Sequence, residues 1–195
     1  MTAPQPPRSA QVRDPQVLKA LAHPLRGRLL GLLRIDGPST ATLLGERLGE
    51  SSGTTSYHLR QLAAYGFVGE VADRGNGRER WWQAMHQSTS WEPDEVITQP
   101  GGLEAHEQMQ RLQIELVGRQ LRAWAERGRE LGPSWGAVAG LSDYALRLTP
   151  EQTRQLTDEV YAVLDRWSAE HREPQPGAQI VGVFTAVVPL VDHPS

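Results

Sequence analysis

The chain has 195 residues, 38% hydrophobic and 22% charged, the balance of one folded domain of fair size or two small ones. It contains no cysteine, which excludes disulfides, thiolate metal sites and cysteine nucleophiles. Its net charge of −3 is unevenly divided, since residues 1–86 carry 11 Arg/Lys against 7 Asp/Glu (+4) and residues 87–195 carry 9 against 16 (−7). Lys19 is the single lysine among twenty basic residues. Guanidinium groups bond phosphate in a planar, two-pronged way, although GC-rich codons would produce the same bias. The most apolar stretch, Ile180 to Val191, is broken by Gly182, Thr185 and Pro189 and is too short to span a bilayer. No basic start precedes a long apolar run, so the expectation is a cytoplasmic protein.

Residues 1–11 are rich in proline and polar groups and read as a disordered tail. Asp14-Pro15 reads as a cap and first helical position, opening a short helix that His23-Pro24 interrupts. A second helix follows to Ile35 on Leu25, Leu29, Leu32 and Leu33, and Gly37-Pro38 stops it. Ser39 or Thr40 caps a third through Leu48, with Leu43, Leu44 and Leu48 as its apolar stripe. The segment SSGTTSYHLRQL, residues 51–62, continues as a fourth helix to Tyr65 and Gly66. Next come FVGEVAD and ERWWQAM, joined by Arg74-Gly75-Asn76-Gly77-Arg78; Asn-Gly between strand-like segments signals a β-hairpin. Within ERWWQAM, alternation makes Trp82 core and leaves Trp81 against a dimer partner or partly exposed.

Residues 87–102 read as a linker, and residues 103–195 as a C-terminal region. The latter has a long helix from Leu103 to about Leu131, an alternating strand at Tyr144 to Leu148, and a helix from Thr149-Pro150 to about His171. Thr149 and Gln152 there form a capping box, and Leu156, Val160, Leu164 and Trp167 face inward. A β-branched strand at Gln179 to Leu190 could pair with Tyr144 to Leu148. The fold class is therefore mainly α with small β (α+β): a winged helix-turn-helix over 12–86, then a helical region with a two-stranded β element.

The fourth helix carries the functional reading. With Thr55, Leu59 and Leu62 on the core side, a 3.6-residue period turns Ser52, Gly53, Ser56, Tyr57 and Arg60 outward. A helix entering the major groove needs short side chains near its start so that the backbone can approach, while Arg and Tyr reach further. Ser52, Gly53, Thr54, Ser56, Tyr57, His58 and Arg60 are the candidate DNA-facing residues. His58 lies on the border between faces, suited to packing or to a phosphate contact. Arg74, Asn76, Arg78 and Arg80 are the candidate wing contacts.

The sequence resembles the ArsR-type family of bacterial winged-helix regulators. The resemblance lies in LKALAHPLR at 18–26, TSYHLRQL at 55–62, Tyr65-Gly66-Phe67-Val68, and Gly77-Arg78 with the later Trp82, covering roughly residues 12 to 86. It implies a homodimeric double-stranded-DNA-binding transcription regulator, usually a repressor released by a signal, with 52–60 on its recognition helix. The family's metal sensors use cysteines on the third helix or His/Asp clusters on a later one. Here the third helix offers only Glu46, and Glu104-x-His106 has no His-x-x-His after it, so neither metal nor cofactor is expected.

Trp124, Trp135, Tyr144, Tyr161 and Trp167 could wall a pocket for a small-molecule effector, or form core or dimer interface. A winged helix reused as a protein-interaction module is the alternative reading, disfavoured by the arginine-bearing wing and the +4 balance. No serine–histidine–acid set, phosphate loop or paired-carboxylate motif stands out, so an enzyme is not expected.

Overall fold

A computed structural model describes residues 9–71, 79–171 and 175–191. Four short helices open the chain, each started by a side chain that accepts an amide the helix leaves open. Asp14 accepts from the Gln16 N–H at 2.8 Å ahead of α1 (Pro15–Leu21), and His23 Nδ1 accepts from Leu25 at 3.2 Å ahead of α2 (Pro24–Ile35). The Thr40 hydroxyl accepts from Leu43 at 3.2 Å ahead of α3 (Ala41–Leu48), and that of Ser51 from Thr54 at 3.1 Å ahead of α4 (Ser52–Ala64).

These helices bury Leu18, Leu29, Leu44, Leu59 and Leu62 almost completely. On α3 the inward residues are Leu44 and Gly45, with Leu48 at the edge, while Leu43, expected inward, is 46% exposed. The reason is the closeness of α4. A Cβ at Gly45 would stand 2.7 Å from the Glu50 carbonyl oxygen and 3.1 Å from Thr55 Oγ1, so α3 turns its smallest residue to the junction.

Five strands accompany the helices: β1 (Ser9–Gln11), β2 (Ser39–Thr40), β3 (Val68–Glu70), β4 (Trp81–Ala84) and β5 (Ser88–Ser90). The expected hairpin is β3–β4, antiparallel with Val68 opposite Ala84 and Glu70 opposite Trp82. Its turn, with Arg74, Asn76 and Arg78, lies outside the described residues. As the alternation predicts, Trp82 is buried at 4% exposure and Trp81 is half-buried. Sequence reading did not foresee that β2 would pair with β4, Thr40 opposite Trp81.

Two expectations are corrected. Ser9–Gln11, read as tail, is a strand parallel to β5, and the Val12 N–H donates to the Ser90 carbonyl at 2.8 Å. Residues 87–102, read as a linker, hold β5 and α5 (Pro93–Ile97), whose Val96 is fully buried. Arg34 fixes this return: Nε donates to the His86 carbonyl at 3.0 Å and Nη2 to Thr89 Oγ1 at 2.7 Å. Burial lowers its pKa to about 10, and it remains a cation at neutral pH. The long helix α6 (Gly102–Arg127) then adds Ala105, Met109 and Leu112 to the same core.

The chain divides into two compact units, Met1–Ala125 and Glu126–Ser195. The second contains a 3-10 turn (Gly128–Leu131), the one-turn α7 (Pro133–Gly136) and α8 (Pro150–Glu170). The capping box of α8 is made: the Thr149 hydroxyl accepts from the Gln152 N–H at 3.2 Å, and Gln152 Oε1 accepts from the Thr149 N–H at 2.9 Å. None of its described residues is buried. Of the four expected inward, Leu156, Val160 and Leu164 are half-buried and Trp167 is 56% exposed. The two strands expected here are absent, because 144–148 and 179–190 make no ladder with each other. Among the described residues no helix is long and apolar enough to cross a membrane. The architecture is an α+β winged helix-turn-helix followed by a helical C-terminal region.

The α3–α4 junction predicts a contrast between two helical glycines. Gly45→Ala should lose about 1–3 kcal/mol through overpacking. Gly31→Ala, with nothing within 4 Å of its Cβ position, should gain up to about 1 kcal/mol from helix propensity. Urea denaturation of the two variants checks both signs.

Candidate nucleic-acid interface

Helix α4 has two faces set by its own spacing. Thr55, His58, Leu59 and Leu62 are buried, whereas Ser52, Gly53, Tyr57 and Arg60 are exposed and Thr54, Ser56 and Gln61 are intermediate. The first turn is braced from within. Ser51 Oγ lies 2.9 Å from Thr54 Oγ1, and the Thr55 hydroxyl donates to the Ser51 carbonyl at 3.0 Å. The Ser52 and Gly53 amides have no acceptor among the described residues. They stand at the positive end of the helix dipole, the usual place for a phosphate.

Gly53 is informative because the chain's own packing does not call for it. A Cβ there would meet only Ser51 Oγ, at 3.7 Å, an ordinary contact. Glycine in a helix costs about 1 kcal/mol relative to alanine, and no intramolecular contact here explains that cost. Arg60 forms no ion pair among the described residues.

Sequence reading grouped His58 with the DNA-facing residues; the structure buries it, at 8% exposure. Position 58 falls three residues after Thr55 and four before Leu62, so it completes the inward stripe. Its ring lies 4.5 Å from that of His23, tilted by 35°, and Tyr57 meets its edge at 5.1 Å. Burial is the main cause that holds the His58 pKa below its ordinary value, reinforced by His23 and Arg26 and opposed by Glu50. His23 is lowered as well, by burial and then by Arg26. Arg26, not singled out from sequence, interacts electrostatically with Tyr57 and Tyr65, its own pKa lowered chiefly by burial. The only sequence signal for that placement was its position one turn before Leu30 on a helix rich in arginine.

The other candidates are placed less simply. Arg80 Nη1 pairs with Glu70 Oε1 at 2.8 Å, an exposed ion pair of the kind worth 1 kcal/mol or less. Arg74, Asn76 and Arg78 lie outside the described residues. Of the five aromatic residues considered for an effector pocket, Tyr161 borders a shallow pocket with Thr157, Val160, Thr185 and Val187. Trp167 stacks on His171 at 4.7 Å, Tyr144 is 89% exposed, and Trp135 lies on α7. Trp124 lies on α6, in the first unit. Among the described residues no three His, Asp or Glu side chains gather as a metal site would require.

The paired histidines give stability a pH dependence. Because their folded pKa values are depressed, the unfolded chain binds more protons, and stability falls as pH drops below about 6.5 toward the folded values. The thermal midpoint should be flat between about pH 7 and 8 and decline toward pH 5.5. His58→Phe should show a shallower decline, measured by circular dichroism.

Comparison with known proteins agrees with this architecture over part of the chain. A family model described as a helix-turn-helix domain matches residues 21–71, from the end of α1 to the residue after β3. No curated protein matches the chain.

Proposed function

We propose that this chain is a sequence-specific, double-stranded-DNA-binding transcription regulator that acts as a homodimer and represses. The observation that carries the reading is the exposed face of α4. Small residues surround a glycine that the fold does not need, and among the described residues two helix-start amides are open and Arg60, further along, forms no ion pair. Such a face suits close entry into a major groove, with Ser52, Gly53, Thr54, Ser56 and Tyr57 near backbone and base edges and Arg60 reaching a base. The match of residues 21–71 to a helix-turn-helix domain supports it.

Arg80, with Arg74, Asn76 and Arg78 of the wing, supplies backbone contacts in this reading, and His58 positions the helix from beneath. Residues 103–195 supply dimerisation, so that two recognition helices about one helical turn (roughly 34 Å) apart read a two-fold site. A small-molecule effector would bind the aromatic side chains of this region, where Tyr161 already borders a pocket. The location is the cytoplasm, with the DNA.

Selection of duplexes from a random pool, followed by shift assays, tests the reading. Gly53→Gln should leave folding stability unchanged or raised and yet weaken operator binding by at least about tenfold, since the added side chain fills the approach. Arg60→Ala should relax preference at one or two base pairs, costing about 1–3 kcal/mol, while Arg80→Ala should weaken all duplexes alike and lower the salt slope by about 1. If the folded wild-type chain selected no duplex, the protein-interaction reading would replace this one.

A further inference from the structure

The unit at residues 126–195 lacks the core that its sequence is equipped to build. Seventeen of its large apolar side chains, from Leu131 to Val191, are between 39% and 90% exposed. Monomers rarely leave so many large apolar side chains exposed, and such surfaces mark an interface. Residues 178–191 are the clearest case. This stretch, AQIVGVFTAVVPLV, carries no charge and is rich in β-branched residues. Beyond the N–H that Ala178 donates to the Gln175 carbonyl, it makes no backbone hydrogen bond among the described residues.

Thr185 and Val187 turn toward Thr157, Val160 and Tyr161 of α8. Elsewhere the segment is open on both sides, with Ile180, Val181, Val183, Val188 and Leu190 73%, 62%, 62%, 68% and 63% exposed. A β-prone apolar segment whose backbone groups are unpaired among the described residues is incomplete, because such N–H and C=O groups template pairing with another strand.

We propose that residues 179–190 pair antiparallel with the same residues of a second copy, forming a two-stranded ribbon across the dimer axis. This rests on the homodimer reading above and names the surface that makes it. Self-pairing fits because a two-fold contact uses the same segment twice, and an uncharged segment opposes no like charges when it meets itself. The segment offers no charge with which to select a polar partner.

The full chain, which has no cysteine of its own, allows a direct test. Single substitutions Gly182→Cys, Phe184→Cys, Thr185→Cys and Ala186→Cys should include at least one that oxidises to a covalent dimer, whereas Glu159→Cys on α8 should not. By sedimentation, Val183→Pro, which removes an N–H and obstructs pairing, should raise the dimer dissociation constant by at least about 100-fold. The cysteine scan leaves the segment otherwise intact, so it remains decisive if the proline variant folds poorly. A dimer that survives Val183→Pro, or an intact dimer in which none of the four cysteines cross-links, overturns the proposal and leaves the homodimer reading standing. A wild-type monomer overturns both. Cross-linked dimers that select no duplex support the ribbon while removing the regulator reading.

Discussion

A Cβ does not fit at Gly45, because the Glu50 carbonyl and the Thr55 hydroxyl already occupy its space. That close approach of α3 and α4 fixes the direction of α4. The left-handed Gly49 (φ 70°) turns the chain, and the Glu50 N–H donates to the Gly45 carbonyl at 2.9 Å. Thr55 packs into the corner with its hydroxyl spent on the Ser51 carbonyl. With Thr55 held, the 3.6-residue period determines the rest: Leu59 and Leu62 must lie beneath, and Gly53, Tyr57 and Arg60 must lie on the outer face.

The exposed surface of α4 is accordingly free of structural duties. Its caps are internal and its anchors are buried, so changes on the outer face need not alter the fold. His58 is the exception, a polar residue within the anchoring stripe, its pKa lowered chiefly by burial, with its ring against the tilted His23 ring that caps α2. The start of α2 and the middle of α4 therefore share one histidine contact, in which a second proton is disfavoured by the first.

The two compact units differ in kind. The first closes its core within one chain, even recruiting Ser9–Gln11 and Val96 from segments of polar and proline-rich composition. The second has well-formed local elements, including a complete capping box, but no buried residue among those described. Caps and propensity are local effects and are satisfied within α8 itself. A core requires opposed apolar faces, and residues 178–191 leave most of their apolar side chains exposed.

The helices were legible because their signals are local: Asp14-Pro15, Thr40, Ser51 and the Thr149/Gln152 box each act within four residues of the amide they satisfy. The hairpin was legible from Asn76-Gly77 and from the alternation that buried Trp82. Pairings between distant segments, β1 with β5 and β2 with β4, left no local trace. The inward turn of His58 was visible in the spacing but obscured by its polarity, and the outward turn of Leu43 followed from the space Gly45 had to fill. The sequence by itself determined where helices start and which side chains α4 carries, since capping and periodicity operate along the chain. Only the tertiary structure decided which faces are buried, because burial depends on what packs opposite, and that is settled between segments far apart in the chain.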